Sequence, residues 1–408
     1  MNEINFHIKE INVNIARNEW KDIQKNILLE ALNNKEVNDP QSLLKKAIDL
    51  SIQENIKKLR DEIINEFKDV YSVVAPNVQI HKADTENLNF DIQITFYTFE
   101  DLDKLVIENI KNDFTFKPID EATIEAAFKT FLKNYPIFLD VKDDIKEKDI
   151  VVIAYKSELN GKIVEQKTAM TLEAKNINND FNINSLLIGK KVGEVFEVND
   201  PKNTHWTITI VNAQRKEIRE INDQNIDLVR IDEIKSINDL KEKLYEDYRM
   251  DYASSELLRY YRHIIFEIGK VNKVLFSVAN LQYEMTQFFQ TNQHLLPNDF
   301  KEKTMEELVK EKDPKFVKLM TQIENSAKFK MLTRLVEYYV SKKYKIEITP
   351  EETEKAYEHI MSTNISDQTL SLLDMSLILH TQKAALYLAK LNNLDTYEII
   401  SKEMKLFV

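Results

Sequence analysis

Asp149-Ile-Val-Val-Ile-Ala-Tyr155-Lys-Ser-Glu-Leu-Asn160-Gly161 is the stretch on which the fold of this chain turns. Ile150–Tyr155 is rich in β-branched residues, which suit a pleated strand. Asn-Gly is the strongest short hairpin signal, because both central turn positions need positive φ. The stretch predicts a strand, a tight turn and a returning strand. Glycine usage reinforces this. Only four glycines occur in 408 residues, and Gly161, Gly189 and Gly193 fall close together while Gly269 stands alone. Tight turns and phosphate cradles depend on glycine, so residues of about 148–215 form a different kind of module from the rest. Val195–Val198 after Gly193, and Trp206–Val211, read as further strands of a small, mostly β domain.

Upstream, Ile4, Phe6 and Ile8 alternate with polar neighbours and predict an amphipathic strand over 4–15. Helical patterns follow around Trp20, Ile23, Ile27 and Leu28, and over about 41–68. Val78–Lys82 and Leu88–Phe99 read as strands; Phe90, Ile92, Ile94 and Phe96 give the second a period of two. Residues 1–113 are thus an α+β module. Residues 114–147 form a linker with a helix from Asp120 to about Asn134, followed by Pro136. Residues 216–408 are read as the last domain; from about 222 onward the pattern is helical, with room for four to seven helices. Ser236-Ile-Asn-Asp239 resembles a capping box, Gly269 would stop the helix that follows it, and Thr349-Pro350-Glu351-Glu352 is a stronger start signal. The expected fold class is multidomain α+β with a large all-helical C-terminal domain.

A net charge of −12 opposes generic binding to phosphate backbones and to anionic membranes. With no cysteine, disulfides, thiolate chemistry and Cys-ligated zinc are excluded. Glu3, Lys9, Glu10, Arg17 and Glu19 leave no apolar run for a secretory signal. The greasiest stretch, Leu370–Leu391, holds Asp374, His380, Lys383 and Lys390, too many charges for a spanning helix, and reads as a buried or groove-facing helix. The expected location is the cytoplasm.

Motifs for chemistry are scarce. The seven histidines show no metal-ligand spacing. There is no GxxxxGK, GxGxxG or GxSxG. No metal and no cofactor is expected, and hydrolytic, phosphoryl-transfer and redox enzymes are disfavoured. What remains is binding surface. Leu281, Met285, Phe288 and Phe289 share i, i+4, i+7, i+8 spacing, with Tyr283 beside them and Leu295 and Leu296 beyond. The stripe either packs on a neighbouring helix or leaves an adaptable Met/aromatic patch for unfolded apolar segments.

The order of modules resembles trigger factor, the bacterial ribosome-associated chaperone. The opening strand and Trp20 helix look like the start of that family's ribosome-binding domain. Asp149–Leu159 with Asn160-Gly161 looks like the first hairpin of its FKBP-like prolyl isomerase domain. Gly189-Lys-Lys-Val-Gly193-Glu194 is similar to its G-x-x-x-G-E turn, and Trp206-Thr-Ile-Thr-Ile-Val211 to its closing strand. Ala327–Ile360 looks like the helical body between its two arms.

Two departures stand beside these likenesses. The family docks on the ribosome through a G-F-R-x-G-K loop; here Asn33-Asn-Lys-Glu-Val-Asn-Asp-Pro40 occupies that stretch. Residues 1–113 carry 14 Lys plus Arg against 21 Asp plus Glu, a net of −7. Lys35, Lys45 and Lys46 are the candidates for residual docking, or are ordinary surface lysines. In the isomerase-like domain, Tyr155 and Trp206 sit where the family has aromatic pocket walls, and Val164 where it has a Phe. Asn182-Ile-Asn-Ser-Leu-Leu187 replaces the V/I-P-G-F floor. Tyr155 and Trp206 are then either remnants of a catalytic cup or plain β-core.

The resemblance implies an ATP-independent chaperone holding unfolded or nascent polypeptides, without specific nucleic-acid recognition. An active peptidyl-prolyl isomerase and a dedicated assembly partner of one protein are the alternatives.

Overall fold

The computed structural model describes all residues except 1, 34–38, 160, 180, 230, 232–233, 297, 312–313, 364–369 and 405–408. The chain is a multidomain α+β protein with an α+β start, a small β module and a large helical C-terminal region. It divides into two compact units: residues 1–117 with 252–408, and residues 118–251.

The first unit opens with β1 (Asn2–Ile4), β2 (His7–Ile15), α1 (Arg17–Asn33), α2 (Pro40–Phe67), β3 (Val70–Tyr71), β4 (Asn77–Ala83), β5 (Leu88–Thr98) and α3 (Phe99–Leu102). β5 is central, with β2 antiparallel on one edge and β3 and β4 on the other. Its period of two turns Leu88, Phe90, Ile92, Ile94 and Phe96 inward. They meet Trp20 and Ile27 of α1 and Ile52, Ile56, Leu59 and Ile63 of α2 in one core. Asp39 caps α2 by accepting from the Gln41 and Ser42 amides, with Pro40 at the first position, where its missing N–H costs nothing.

The expected single strand over 4–15 is two. β1 leaves the sheet and pairs in parallel with β11 (Asn272–Val274), which the period of two cannot reveal. A second core forms around this pairing. Tyr97, Leu102, Ile107 and Phe114 from the amino-terminal stretch pack with Leu257, Tyr260, Ile264 and residues further along the chain. Polar clamps repeat the link. The Tyr97 hydroxyl donates to the Leu275 carbonyl at 2.6 Å, and the Asn272 side chain exchanges bonds with both backbone groups of Val106.

Asp101, buried at the foot of β5, accepts from Thr98 Oγ1 (2.6 Å), Lys104 Nζ (2.9 Å) and His7 Nε2 (2.7 Å). Burial pushes its carboxyl up, but these donors outweigh burial and hold it at about 2 against an ordinary 3.8. A depressed carboxyl stabilises the fold above its unfolded value and loses that contribution as pH falls toward about 2. The size is about 2 kcal/mol. Asp101→Asn is expected to give a visibly shallower fall of stability between pH 4 and pH 2 by urea unfolding. An unchanged slope contradicts this assignment.

The second unit holds α4 (Glu121–Lys133), β6 (Tyr135–Asp140), β7 (Ile150–Leu159), β8 (Lys162–Glu173), α5 (Ile183–Leu186), β9 (Val195–Asn199) and β10 (His205–Arg219). β10 runs eight residues past the expected Val211. It pairs with β7 along one edge, through a bulge at Ile210–Asn212, and with β9 and then β6 along the other. β7 and β8 form the expected hairpin, Leu159 opposite Lys162, with Gly161 at φ 73°; Asn160 lies outside the described residues. At the next turn Glu194 takes the Lys191 amide (3.0 Å) and the Lys190 ammonium (2.7 Å). β6 lies in the stretch read as linker; Pro136 is compatible with it because β6 is an edge strand.

α6 (Ile237–Val271) begins in this unit, where the Asp239 amide donates to Ser236 Oγ, and ends in the other. Gly269 does not stop it. An added Cβ there would lie 3.0 Å from Leu332 Cδ2, so this glycine permits close helix packing. With glycine so scarce, Lys68, Asn109, Lys148, Asn203 and Lys345 take left-handed φ instead.

The helical region continues with α7 (Val278–Asn292), α8 (Asn298–Lys301), α9 (Met305–Glu311), α10 (Pro314–Tyr344), α11 (Pro350–Thr363), α12 (Leu372–Asn392) and α13 (Leu394–Glu403). With α6 that makes eight helices among the described residues, one more than expected, because α8 and α9 are too short for a 3.6-residue period to register. Thr349 and Glu352 cap α11 reciprocally at 2.8 and 3.2 Å, as the sequence predicts. α12 occupies the greasy stretch; its second half packs into the core, while Leu372, Leu373 and Leu377 near its start are exposed. No helix among the described residues is long and apolar enough to cross a membrane.

Candidate functional site

The Met/aromatic stripe lies on α7, capped by Ser277. Its spacing does define one face, and that face is turned inward. Met285 and Phe289 are buried with Phe300, Leu308, Phe316, Ile323 and Ala327 in a separate core, against which Leu281, Phe288 and Leu296 pack half-buried. Tyr283 and Leu295 point outward, 45% and 71% exposed, and Val278, Val309 and Val317 are exposed on the same set of helices. A cleft of about 620 Å³ opens beside this core, lined by Gln282, Thr286, Phe289, Gln290, Gln293 and Met305 among others. Side-chain amides, hydroxyls and the Glu306 carboxylate line it together with the apolar Phe289 and Met305.

The stripe is held by charge. Glu284 of α7 is buried and meets Lys330 (2.9 Å) and Arg334 of α10; Arg334 also donates to the Val73 carbonyl at 3.1 Å. The spacing in the sequence gives no sign that Glu284, between Tyr283 and Met285, faces inward with a cation pair.

In the β module, Tyr155 of β7 and Trp206 of β10 lie on adjacent strands, rings 5.4 Å apart at 44°. Phe181, which the sequence did not single out, adds a third ring 5.8 Å from Trp206. Tyr155 is buried and Trp206 half-buried, its Nε1 donating to Asp200 at 3.3 Å. Burial and the neighbouring Glu165 carboxylate push the Tyr155 phenol up, while the phenol and Lys167 hold Glu165 below the usual carboxylate range. Val164 is not brought to this group. It falls at the register shift between Ser157 and Glu158 and is 63% exposed. The three rings offer an apolar ledge, with the Tyr155 phenol facing Glu165 and Lys167 at its edge.

Lys45 and Lys46 are exposed on α2, and Lys46 faces Glu30 of α1 at 3.9 Å. Lys35 lies outside the described residues. No group of His, Asp or Glu that could hold a metal occurs among the described residues.

No family model matches the chain, and no curated protein is similar to it. A solved structure of the trigger factor chaperone, from work on promiscuous substrate recognition in its folding and assembly activities, aligns over 94% of this chain and 97% of that one, at 13% identity and a TM-score of 0.34.

Proposed function

We propose that this protein is an ATP-independent, trigger-factor-like holding chaperone, with α7–α10 as its client-binding region. The observation that carries the reading is the division of apolar residues there. A small core is sealed, while Val278, Tyr283, Leu295, Val309 and Val317 stay exposed on the segment that also bears a mixed polar–apolar cleft. Scattered side chains of this kind, each contributing about 1–2 kcal/mol when covered, would hold unfolded segments weakly and without sequence demand. The net charge of −12 would keep such complexes soluble. Within this reading the amino-terminal α+β module is ribosome-binding-like and residues 148–215 are FKBP-like.

The test is aggregation of a chemically denatured client in the presence of the purified full chain. Protection at equimolar ratio is expected. The variant Tyr283→Ser with Leu295→Ser, both outward-facing, is expected to need roughly tenfold more protein for the same protection. Absence of protection by the parent protein overturns the proposal.

A second reading, prolyl isomerisation, has one observation in its favour: the Tyr155–Phe181–Trp206 group, which could seat a proline ring. Acceleration of a proline-limited refolding reaction, lost in Trp206→Ala, would support it; an unchanged refolding rate would remove it.

A further inference from the structure

At the carboxyl end of α10 a cleft of about 470 Å³ is lined by Tyr344, Tyr387, Tyr397, Lys345, Lys383 and Lys390. Neither the holding role nor the isomerase reading uses this cleft, and its chemistry is independent of both. The Tyr344 and Tyr387 rings stack at 4.7 Å and 25°, so they present a pre-formed aromatic surface. Ile346 and Leu386 extend it. The Tyr344 hydroxyl donates to Glu108 at 2.6 Å, which fixes that ring.

The charges are unevenly committed. Lys383 is spent on Glu352 (2.7 Å) and the Glu347 carbonyl (2.9 Å). Lys390 lies 5.9 Å from the centres of both Tyr387 and Tyr397, with no carboxylate within ion-pair distance among the described residues. Lys345 has no carboxylate there either. It sits in the left-handed residue that ends α10, at φ 51°, with the next amide, Ile346 N–H, bonded to Ser341 O at 3.0 Å. Helices usually place glycine at that position; here a lysine is held beside the cleft. The Ser401 hydroxyl, on another lining residue, is buried without a hydrogen-bond partner among the described residues.

We propose that this cleft binds an aromatic group carrying a single carboxylate. The rings and Leu386 would receive the aromatic body, and Lys390 and Lys345 the carboxylate. Charge decides against a phosphate ester. Three lysines face two glutamates, Glu347 and Glu352, leaving a surplus of one positive charge. One carboxylate matches that surplus, whereas a doubly charged phosphate would meet the glutamates. The same chemistry belongs to a free aromatic acid and to a polypeptide ending in an aromatic residue.

Calorimetric titration of the full chain with N-acetyl-phenylalanine, its carboxamide, and Ala-Ala-Ala-Ala-Phe decides the matter. The free acid is expected to bind at least tenfold more tightly than the amide. Lys390→Gln with Lys345→Gln, both on the surface, is expected to abolish that difference, and Tyr387→Ala to weaken acid and amide alike. A pentapeptide tenfold tighter than the acid supports polypeptide ends as the source, and equal affinity supports the free acid. Equal binding of acid and amide, no binding of either, or an undiminished preference in the lysine variant overturns the proposal.

Discussion

Arg215→Ala is expected to destabilise the unit of residues 118–251 by about 3–5 kcal/mol, because it leaves a buried carboxylate without its cation. Asp149 is almost wholly shielded from water. Arg215 reaches it with two parallel bonds, Nε at 2.9 Å and an Nη2 at 2.8 Å, and the Lys146 amide adds a third. The same guanidinium bonds Asp143 and the Asp144 carbonyl. One side chain of β10 thereby fixes the turn that leads into β7. Its own pKa is raised by Asp149 first and by Asp143 second. In the variant, Asp149 must fold either charged and unpaired or protonated. Replacing both residues, Arg215→Met with Asp149→Leu, is expected to recover most of the loss. The two tryptophans make the measurement clean, one lying in each unit: Trp206 fluorescence in a Trp20→Phe background follows this unit during urea unfolding. A shift under about 1 kcal/mol, within the range of a surface pair, would show the ion pair to be dispensable.

Trp20→Ala is the second large effect, about 3–5 kcal/mol in the other unit. Trp20 is fully buried, at 0% exposure, between α1, α2 and the β2–β5 sheet. Its Nε1 donates to the Asp84 carbonyl at 2.7 Å, so truncation both opens a cavity and strands a carbonyl. Far-UV circular dichroism should report the earlier transition, while Trp206 fluorescence keeps its parent midpoint. Trp20→Phe should cost less than half as much. A far-UV transition within about 1 kcal/mol of the parent would mean that the core refills the space.

Local signals were legible where local physics decides. The period of two in Leu88–Phe96, the Thr349-Pro350 helix start and the Asn-Gly hairpin all needed only neighbouring residues. What stayed hidden depends on distant partners. β1 is a strand because Asn272–Val274 lies beside it, some 270 positions away. Gly269 reads identically as a helix stop and as room for Leu332. β6 hides behind Pro136, which only an edge strand tolerates. At the candidate sites, the stripe of Leu281, Met285, Phe288 and Phe289 was visible as a face, but which way it points was not. Phe181 follows a run of polar residues, so nothing local ties it to Trp206. The tyrosine cleft draws on four separate helices, α10 to α13, and the turn after α10, and has no contiguous motif.

The pairing of β1 with β11 also sets a clock. During synthesis, residues 2–4 and the apolar side chains of Tyr97, Leu102, Ile107 and Phe114 emerge long before the helices that cover them. The interval spans at least residues 118–251, roughly ten seconds at ordinary translation rates. The Trp20 core can close early, since all its members precede residue 97. The other core cannot, so each newly made copy passes through a stage in which it displays the kind of surface a holding protein recognises.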